Sequence, residues 1–340
     1  MNSYEEKTYT LFYYWLIVSF FLVLSMIIVG GLTRLTDSGL SITEWELFAG
    51  ILPPLSNESW DKYFSLYKEI PQFKLLNNNM TLNEFKIIFY WEYAHRFLGR
   101  FLGLFFLIPL IYFYFSRVIK KSYISTSTKI LLLIISQGIV GWYMVKSGLV
   151  DKVTVSHYRL SIHLTIAFVI ISMIFWMILN VRKKAEKRFL FLNKSNLIFY
   201  FFILLIFAQI ILGAFVSGLD AGRIYQTWPL MGETYFPNDI IIQKFTNFFD
   251  FNNHSLTQFY HRTTAYLLFF YTIFVGYYIF KNKIYLMKHF YLVSVFLFLQ
   301  IILGVVTLIS GLNIYLASGH QIGSLLLILS VYNLFFQYIK

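Results

Sequence analysis

The chain contains no cysteine among its 340 residues, and that absence excludes disulfides, thiolate ligation of iron and cysteine-held iron–sulfur clusters. Charge is nearly as scarce. Asp, Glu, Lys and Arg together make up 13% of the residues, against 58% hydrophobic and 21% aromatic. With a mean hydropathy of +0.64, this composition lies far outside the range of a soluble globular domain and indicates an integral membrane protein. Apolar stretches long enough to cross ~30 Å of hydrocarbon as helix fall near 11–30, 86–116, 130–149, 158–180, 196–217, 259–280, 290–311 and 320–339.

Acidic residues are the scarcer of the charged groups, 16 against 28 basic, giving a formal charge of +12. The distribution of that excess argues against nucleic acid as a partner. Lys and Arg gather in three short connections: Arg117, Lys120, Lys121 and Lys129; Arg182, Lys183, Lys184, Lys187, Arg188 and Lys194; Lys281, Lys283 and Lys288. By the positive-inside rule these connections are cytoplasmic, and eight crossings then put both termini inside. The longer segments, 31–85 and 218–258, face outward with charge of both signs, punctuated by Pro53, Pro54, Pro71, Pro229 and Pro237. They are expected to be structured loops. The first apolar stretch lacks a cleavage pattern, so it is expected to insert the chain without being removed.

Internal repetition supplies the next level of order. The four outward-running helices end alike, in Met26-Ile27-Ile28-Val29-Gly30, Gln137-Gly138-Ile139-Val140-Gly141, Gln209-Ile210-Ile211-Leu212-Gly213 and Gln300-Ile301-Ile302-Leu303-Gly304. Each is followed by Ser-Gly-Leu, at 38–40, 147–149, 217–219 and 310–312. One helical hairpin is used four times, and four crossings return the chain to its starting side. The larger unit is therefore a four-helix half repeated in the same orientation, 1–190 and 191–340. The recurring glycine has two readings: close approach of helices bridged by an amide, or room for a flat macrocycle.

The inward-running helices each carry one histidine near the outer end: His95, His163, His261 and His320. Parallel helices bearing His at similar depth can direct two imidazoles at one iron, as in a bis-His haem held by a bundle. Small residues follow on the same face, Gly99 and Gly103 after His95, Ala167 after His163, Ala265 after His261 and Ser324 after His320. Arg34, Arg96, Arg100, Arg159, Arg223 and Arg262 lie near the same level, where guanidinium groups can pair with haem propionates or simply anchor the interface. His254 falls in the second long loop and His289 at the cytoplasmic rim. His157, six residues before His163, points to another side of the helix. The halves differ one turn before the first histidine of each: Glu92 precedes His95, whereas Gln258 precedes His261. A carboxylate at that depth is costly and usually functional, the alternative being a simple pair with Arg96 or Arg100.

These features resemble the haem A synthase family over essentially the whole chain. The resemblance is carried by Gly30-Gly31-Leu32-Thr33-Arg34-Leu35-Thr36-Asp37-Ser38-Gly39-Leu40-Ser41, by Phe85 through Arg96 with its Trp91-Glu92-Tyr93-Ala94-His95-Arg96 end, and by Tyr158-Arg159-Leu160-Ser161-Ile162-His163-Leu164. In the second half it continues in Asp220 through Gly232, Gln258-Phe259-Tyr260-His261-Arg262 and His320-Gln321. It implies an all-α membrane fold of eight helices in two four-helix halves. It further implies a resident haem b held by His261 and His320 with Arg223 and Arg262, and substrate haem O bound by His95 and His163 with Arg34, Arg96, Arg100 and Arg159. Glu92 is implied as the catalytic carboxylate in two successive hydroxylations of one methyl, giving a geminal diol that loses water to the formyl of haem A. The implied setting is the bacterial cytoplasmic membrane, with haem O delivered by haem O synthase, an electron-transfer partner, and a homo-oligomer allowed. Branches of the family with a cysteine pair in the outer loops are set aside, since this chain has none. Two other classes compete: a dihaem cytochrome b passing electrons to or from quinone, which needs neither Glu92 nor asymmetric halves, and a transporter of parallel repeats, which would show broken helices and a polar midplane.

Overall fold

The computed structural model describes residues 3–45, 49–149, 153–189, 193–241 and 244–339. Among these the regular structure is all helix, with only an isolated bridge between Met231 and Thr234. The α-helices are α1 Ser3–Leu35, α2 Asn57–Lys68, α3 Pro71–Leu76, α4 Leu82–Ser116, α5 Lys121–Gly148, α6 His157–Lys183, α7 Leu197–Gly218, α8 His254–Asn282, α9 Met287–Ile309 and α10 Ile314–Tyr338. Eight of them, all but α2 and α3, are long and apolar enough to cross a membrane, as the eight apolar stretches lead one to expect.

Several of these helices start before their apolar stretch because polar caps, not hydrophobicity, set their ends. At α4, Thr81 accepts from Glu84 N while its own N–H donates to Glu84 Oε2 at 2.8 Å, a reciprocal capping box. Asn253 caps α8 by accepting from Leu256 N at 2.9 Å, and Asn313 caps α10 by accepting from Tyr315 N at 3.0 Å. Beyond the C-terminal ends of α1, α7 and α9 the backbone turns through left-handed residues, Asp37, Asp220 and Leu312.

The chain divides into two compact units, Met1–Ile174 and Phe175–Lys340; the join expected at residues 190 and 191 falls on residues outside those described. In the first unit α1 packs against α4, and α4 against α5. Phe12, Trp15, Phe106 and Phe113 are buried between α1 and α4, with Trp15 and Phe106 rings 4.6 Å apart and Trp15 Nε1 donating to Phe105 O at 3.2 Å. The first outer loop has its own small core of Leu40, Trp60, Phe64, Tyr67, Phe85 and Phe89. The Tyr67 hydroxyl donates to Gln72 Oε1 at 3.0 Å, and Gln72 Nε2 donates to Asp37 O at 3.1 Å. Burial pushes the Tyr67 phenol above its usual range, so it remains a donor and fastens α2 and α3 to the end of α1.

In the second unit α7 packs on α8 and α9 on α10. The end of the unit where α10 finishes is closed by Trp176, Phe199, Tyr332, Phe335 and Phe336, all buried. Lys187, whose ammonium pKa is lowered by burial, donates to Phe336 O at 2.8 Å and to Ile339 O. That contact satisfies carbonyls at the end of α10 that the helix cannot pair itself.

Candidate functional site

The four histidines meet in two pairs. In the first unit His95 on α4 faces His163 on α6, with ring centroids 6.3 Å apart and planes inclined by 55°. In the second, His261 on α8 faces His320 on α10 at 6.5 Å and 85°. Two imidazoles ligating one metal from opposite sides would place their centroids roughly 6–6.5 Å apart, given metal–nitrogen bonds of about 2.0–2.1 Å and the reach from nitrogen to ring centre. Each ring can rotate about its own metal–nitrogen bond, so the inclinations are compatible with shared ligation. All four Nδ1 atoms are buried without a hydrogen-bond partner, as is His95 Nε2, which is costly unless something else satisfies them.

Among the described residues no group of three or more His, Cys, Asp or Glu could hold a metal ion. Two protein ligands alone do not make a closed site of the zinc type. The donor set suits an iron whose remaining ligands come with it in a macrocycle, and haem fits both pairs.

The recurring glycines explain how the rings are accommodated. A Cβ added at Gly30 on α1 would lie 3.3 Å from His95 Cε1, and one at Gly141 on α5 would lie 3.3 Å from His163 Cε1. At Gly213 on α7 and Gly304 on α9 the corresponding distances, to His261 and His320 Cε1, are 3.0 Å. Each glycine therefore seats the imidazole of the partner helix in its hairpin or helix pair. Of the two readings open from sequence, the contact seen is close helix approach: the glycine backbone lies against the imidazole of the neighbouring helix, and Gln137 bridges α5 to α6. Farther down α4, a Cβ at Gly103 would meet nothing within 4 Å.

Above each first histidine, the residue one turn before it and the arginine after it clamp an outer loop to the helix. Glu92 is buried. Its Oε2 accepts from Ser41 Oγ and Ile42 N, both at 2.8 Å, and its Oε1 accepts from Arg96 Nη2 at 2.6 Å. Arg96 also donates to Ile42 O at 2.8 Å and Glu44 O at 3.2 Å and lies over the Trp45 ring. In the second unit Gln258 Nε2 donates to Tyr225 O at 3.0 Å, and Arg262 donates to Tyr225 O and Thr227 O, both at 2.9 Å. The same device thus uses a carboxylate accepting from the loop in one unit and an amide donating to it in the other. Ser41 and Tyr225 were not singled out from sequence. Ser41 stands at the end of the Gly30–Ser41 stretch, but without charge or periodicity it gave no signal of its partner.

The other candidates are dispersed. Arg34 pairs with Asp37 at 2.8 Å, Arg159 donates to Ser147 Oγ and lies over the Tyr143 ring, and Arg100 lines a small hollow with Arg96 and Glu44. Arg223 is exposed at the end of a short 3-10 turn. His157 is buried at the start of α6 against Tyr158, His254 opens α8, and His289 meets Asn333 Nδ2 at 3.2 Å.

Comparison with known proteins adds an independent line. Residues 13–332 match the sequence pattern of a family described as cytochrome oxidase assembly protein. The haem A synthase of Pelagibacter ubique is 50% identical over 321 residues, covering 94% of each chain. That of Maricaulis maris is 40% identical over 322 residues, 93% of each chain, and that of Rickettsia felis is 41% identical over 320 residues, 92% of this chain and 94% of the relative.

Proposed function

The chain belongs to the family of cytochrome oxidase assembly proteins, and we propose that it is a haem A synthase, a membrane oxidoreductase that converts a methyl group of haem O into the formyl group of haem A. In this reading the N-terminal half, 1–190, takes haem O between His95 and His163. The C-terminal half, 191–340, keeps a resident haem b between His261 and His320. When bound, the haem b supplies one-electron transfer for the oxidation. The substrate methyl is hydroxylated twice, each step taking oxygen from a water molecule and releasing two protons and two electrons, the electrons passing to a partner. The resulting geminal diol loses water to leave the aldehyde.

The chain's own residues orient and polarise. His95 and His163 fix the substrate plane by holding its iron, and the seating glycines keep their rings in place. Glu92 lies one helical turn from His95 on nearly the same face. A carboxylate offers about four lone-pair sites, and Ser41, Ile42 and Arg96 engage three. It therefore acts as a fixed acceptor, oriented before the reaction, that stabilises positive charge developing at the methyl carbon or takes up its proton. Arg96 and Arg262 hold the outer loops over the two histidine pairs. Arg34, Arg100, Arg159 and Arg223 supply the positive outer level at which propionates sit. In this reading both termini lie on the cytoplasmic side of the cytoplasmic membrane, as the basic connections favour, with haem O arriving from its synthase and electrons passing to a partner.

The observation that carries the reading is two histidine pairs of matched spacing with buried Nδ1 atoms, of which only one has a carboxylate above it. The test is chromatography of haems extracted from protein purified from cells that make haem O. Haem b together with haem O or haem A is expected. Haem b alone, with no haem A formed when haem O is supplied, would sink it in favour of an electron-transfer cytochrome.

A further inference from the structure

The four histidine seats are built alike except in one respect. Four residues before the seating glycine, α5, α7 and α9 carry Gln137, Gln209 and Gln300, and each amide reaches the helix that bears the histidine. Gln137 Nε2 donates to His163 O at 2.8 Å, and Gln209 Nε2 lies 3.4 Å from His261 Nε2. Gln300 Oε1 lies against Gly323, one turn past His320, 2.7 Å from where a Cβ would stand. The equivalent residue on α1 is Met26, whose Cε packs by Gly99, one turn past His95, and would lie 3.6 Å from a Cβ there. A thioether has no hydrogen to donate.

The difference lies in how the histidine-bearing helix is held. At the rings themselves the four seats differ little: all four Nδ1 atoms are buried without a partner, as is His95 Nε2, and only His261 has a glutamine amide near a ring nitrogen. Groups that orient a metal-binding histidine without touching the metal are worth roughly 10–100-fold in metal affinity. The α5–α6 hairpin that presents His163 is pinned at the histidine itself by Gln137, while the α1–α4 pair that presents His95 is not.

A substrate held between two imidazoles must break both iron–imidazole bonds to leave, one before the other, and form both again on entry. We propose that His95 is the ligand that lets go: haem O is anchored by His163, and His95 closes on it last and releases it first. The imidazole keeps its lone pair as the bond breaks, so no proton or electron is exchanged. The proposal rests on the assignment of His95 and His163 to the substrate.

The experiment uses the full-length protein purified with haem O bound, with haem b content as the internal measure of folded protein. His95→Ala should keep haem O on His163 as a five-coordinate high-spin species, at about five-fold or more the content of His163→Ala. In Met26→Gln the added amide should slow transfer of haem O to excess apomyoglobin about ten-fold relative to the unaltered protein. Equal loss of haem O in the two alanine variants, a reversed order, or an unchanged transfer rate in Met26→Gln overturns the proposal while leaving the substrate assignment intact. Full haem O content in both alanine variants overturns the assignment as well.

Discussion

Replacing Glu92 by Gln is the sharpest perturbation, because it gives the first unit the side chain that the second unit already has at Gln258. The cost follows from three bonds. The two carboxylate oxygens accept from Arg96 on one side and from Ser41 and Ile42 N–H on the other. An amide offers only one acceptor oxygen. If that oxygen faces Arg96, the NH2 meets the Ile42 N–H; if it faces Ile42, the NH2 meets the guanidinium. Either way one buried donor is left unpaired, at a cost of about 1–3 kcal/mol. Full loss of a partner from a buried ion pair costs about 3–5 kcal/mol. Arg96 keeps Ile42 O, Glu44 O and the Trp45 ring, so the expected destabilisation is about 2–3 kcal/mol. A thermal unfolding midpoint in detergent would register it. The variant Ser41→Ala serves as the control. It removes one hydrogen bond from the same oxygen, about 0.5–1.5 kcal/mol, and leaves the carboxylate in place. If Glu92 takes part in the chemistry, haem A formed per b-haem-loaded molecule should collapse in Glu92→Gln, with the singly hydroxylated intermediate accumulating. The same ratio should stay near normal in Ser41→Ala. A normal ratio in Glu92→Gln would remove the carboxylate from the mechanism and leave it as the clamp on the first outer loop.

His261→Ala and His320→Ala should each deplete the resident b-type haem, seen as a diminished reduced-minus-oxidised spectrum of the purified protein; normal content in both would refute the second pair as its site. Gly213→Ala and Gly304→Ala place a methyl 3.0 Å from the ligand ring, so each should displace the ring and broaden or shift the b-haem bands, at about 1–3 kcal/mol of overpacking. Gly103→Ala, with nothing within 4 Å, should leave the spectrum and stability unchanged. The second outer loop carries a pH signature at Asp239. Desolvation raises its carboxyl, but hydrogen bonds from Ser255 at 2.6 Å and Tyr225 at 2.7 Å outweigh that and hold it below its ordinary 3.8. A depressed carboxyl contributes stability above the unfolded-state value and loses it as pH falls through the folded one. The unfolding midpoints of the unaltered protein and Asp239→Asn should therefore differ at neutral pH and converge below pH 3.8; a constant gap would argue that the bonds do not depend on ionisation.

Much of this protein is written along the chain. Hydrophobic length determined the eight spans, since a helix in lipid must satisfy its own backbone and needs only enough apolar residues to do so. The fourfold recurrence of glycine and of Ser-Gly-Leu marked the hairpins, and one histidine at the outer end of each returning helix marked the candidate ligands. Those signals survive in one dimension because they are periodic or repeated. What the glycines touch was not legible, because Gly30 and His95 are 65 residues apart in number and only the packing of α1 on α4 brings backbone against ring. Nor was the partner of Glu92. Arg96, at i+4, is a neighbour that helix geometry supplies, but Ser41 and the Ile42 N–H arrive from a loop whose path is set by its own small core around Tyr67 and Phe85. Tertiary structure alone decided how the arginines are used, because a guanidinium bonds to whichever carbonyls lie within reach. It also decided what those repeat positions touch, Gln137 the His163 carbonyl and Met26 the face of Gly99. The Met26 substitution is plain in the repeat, yet its consequence, a thioether packed by Gly99 where Gln137 donates to the His163 carbonyl, is a property of the packing.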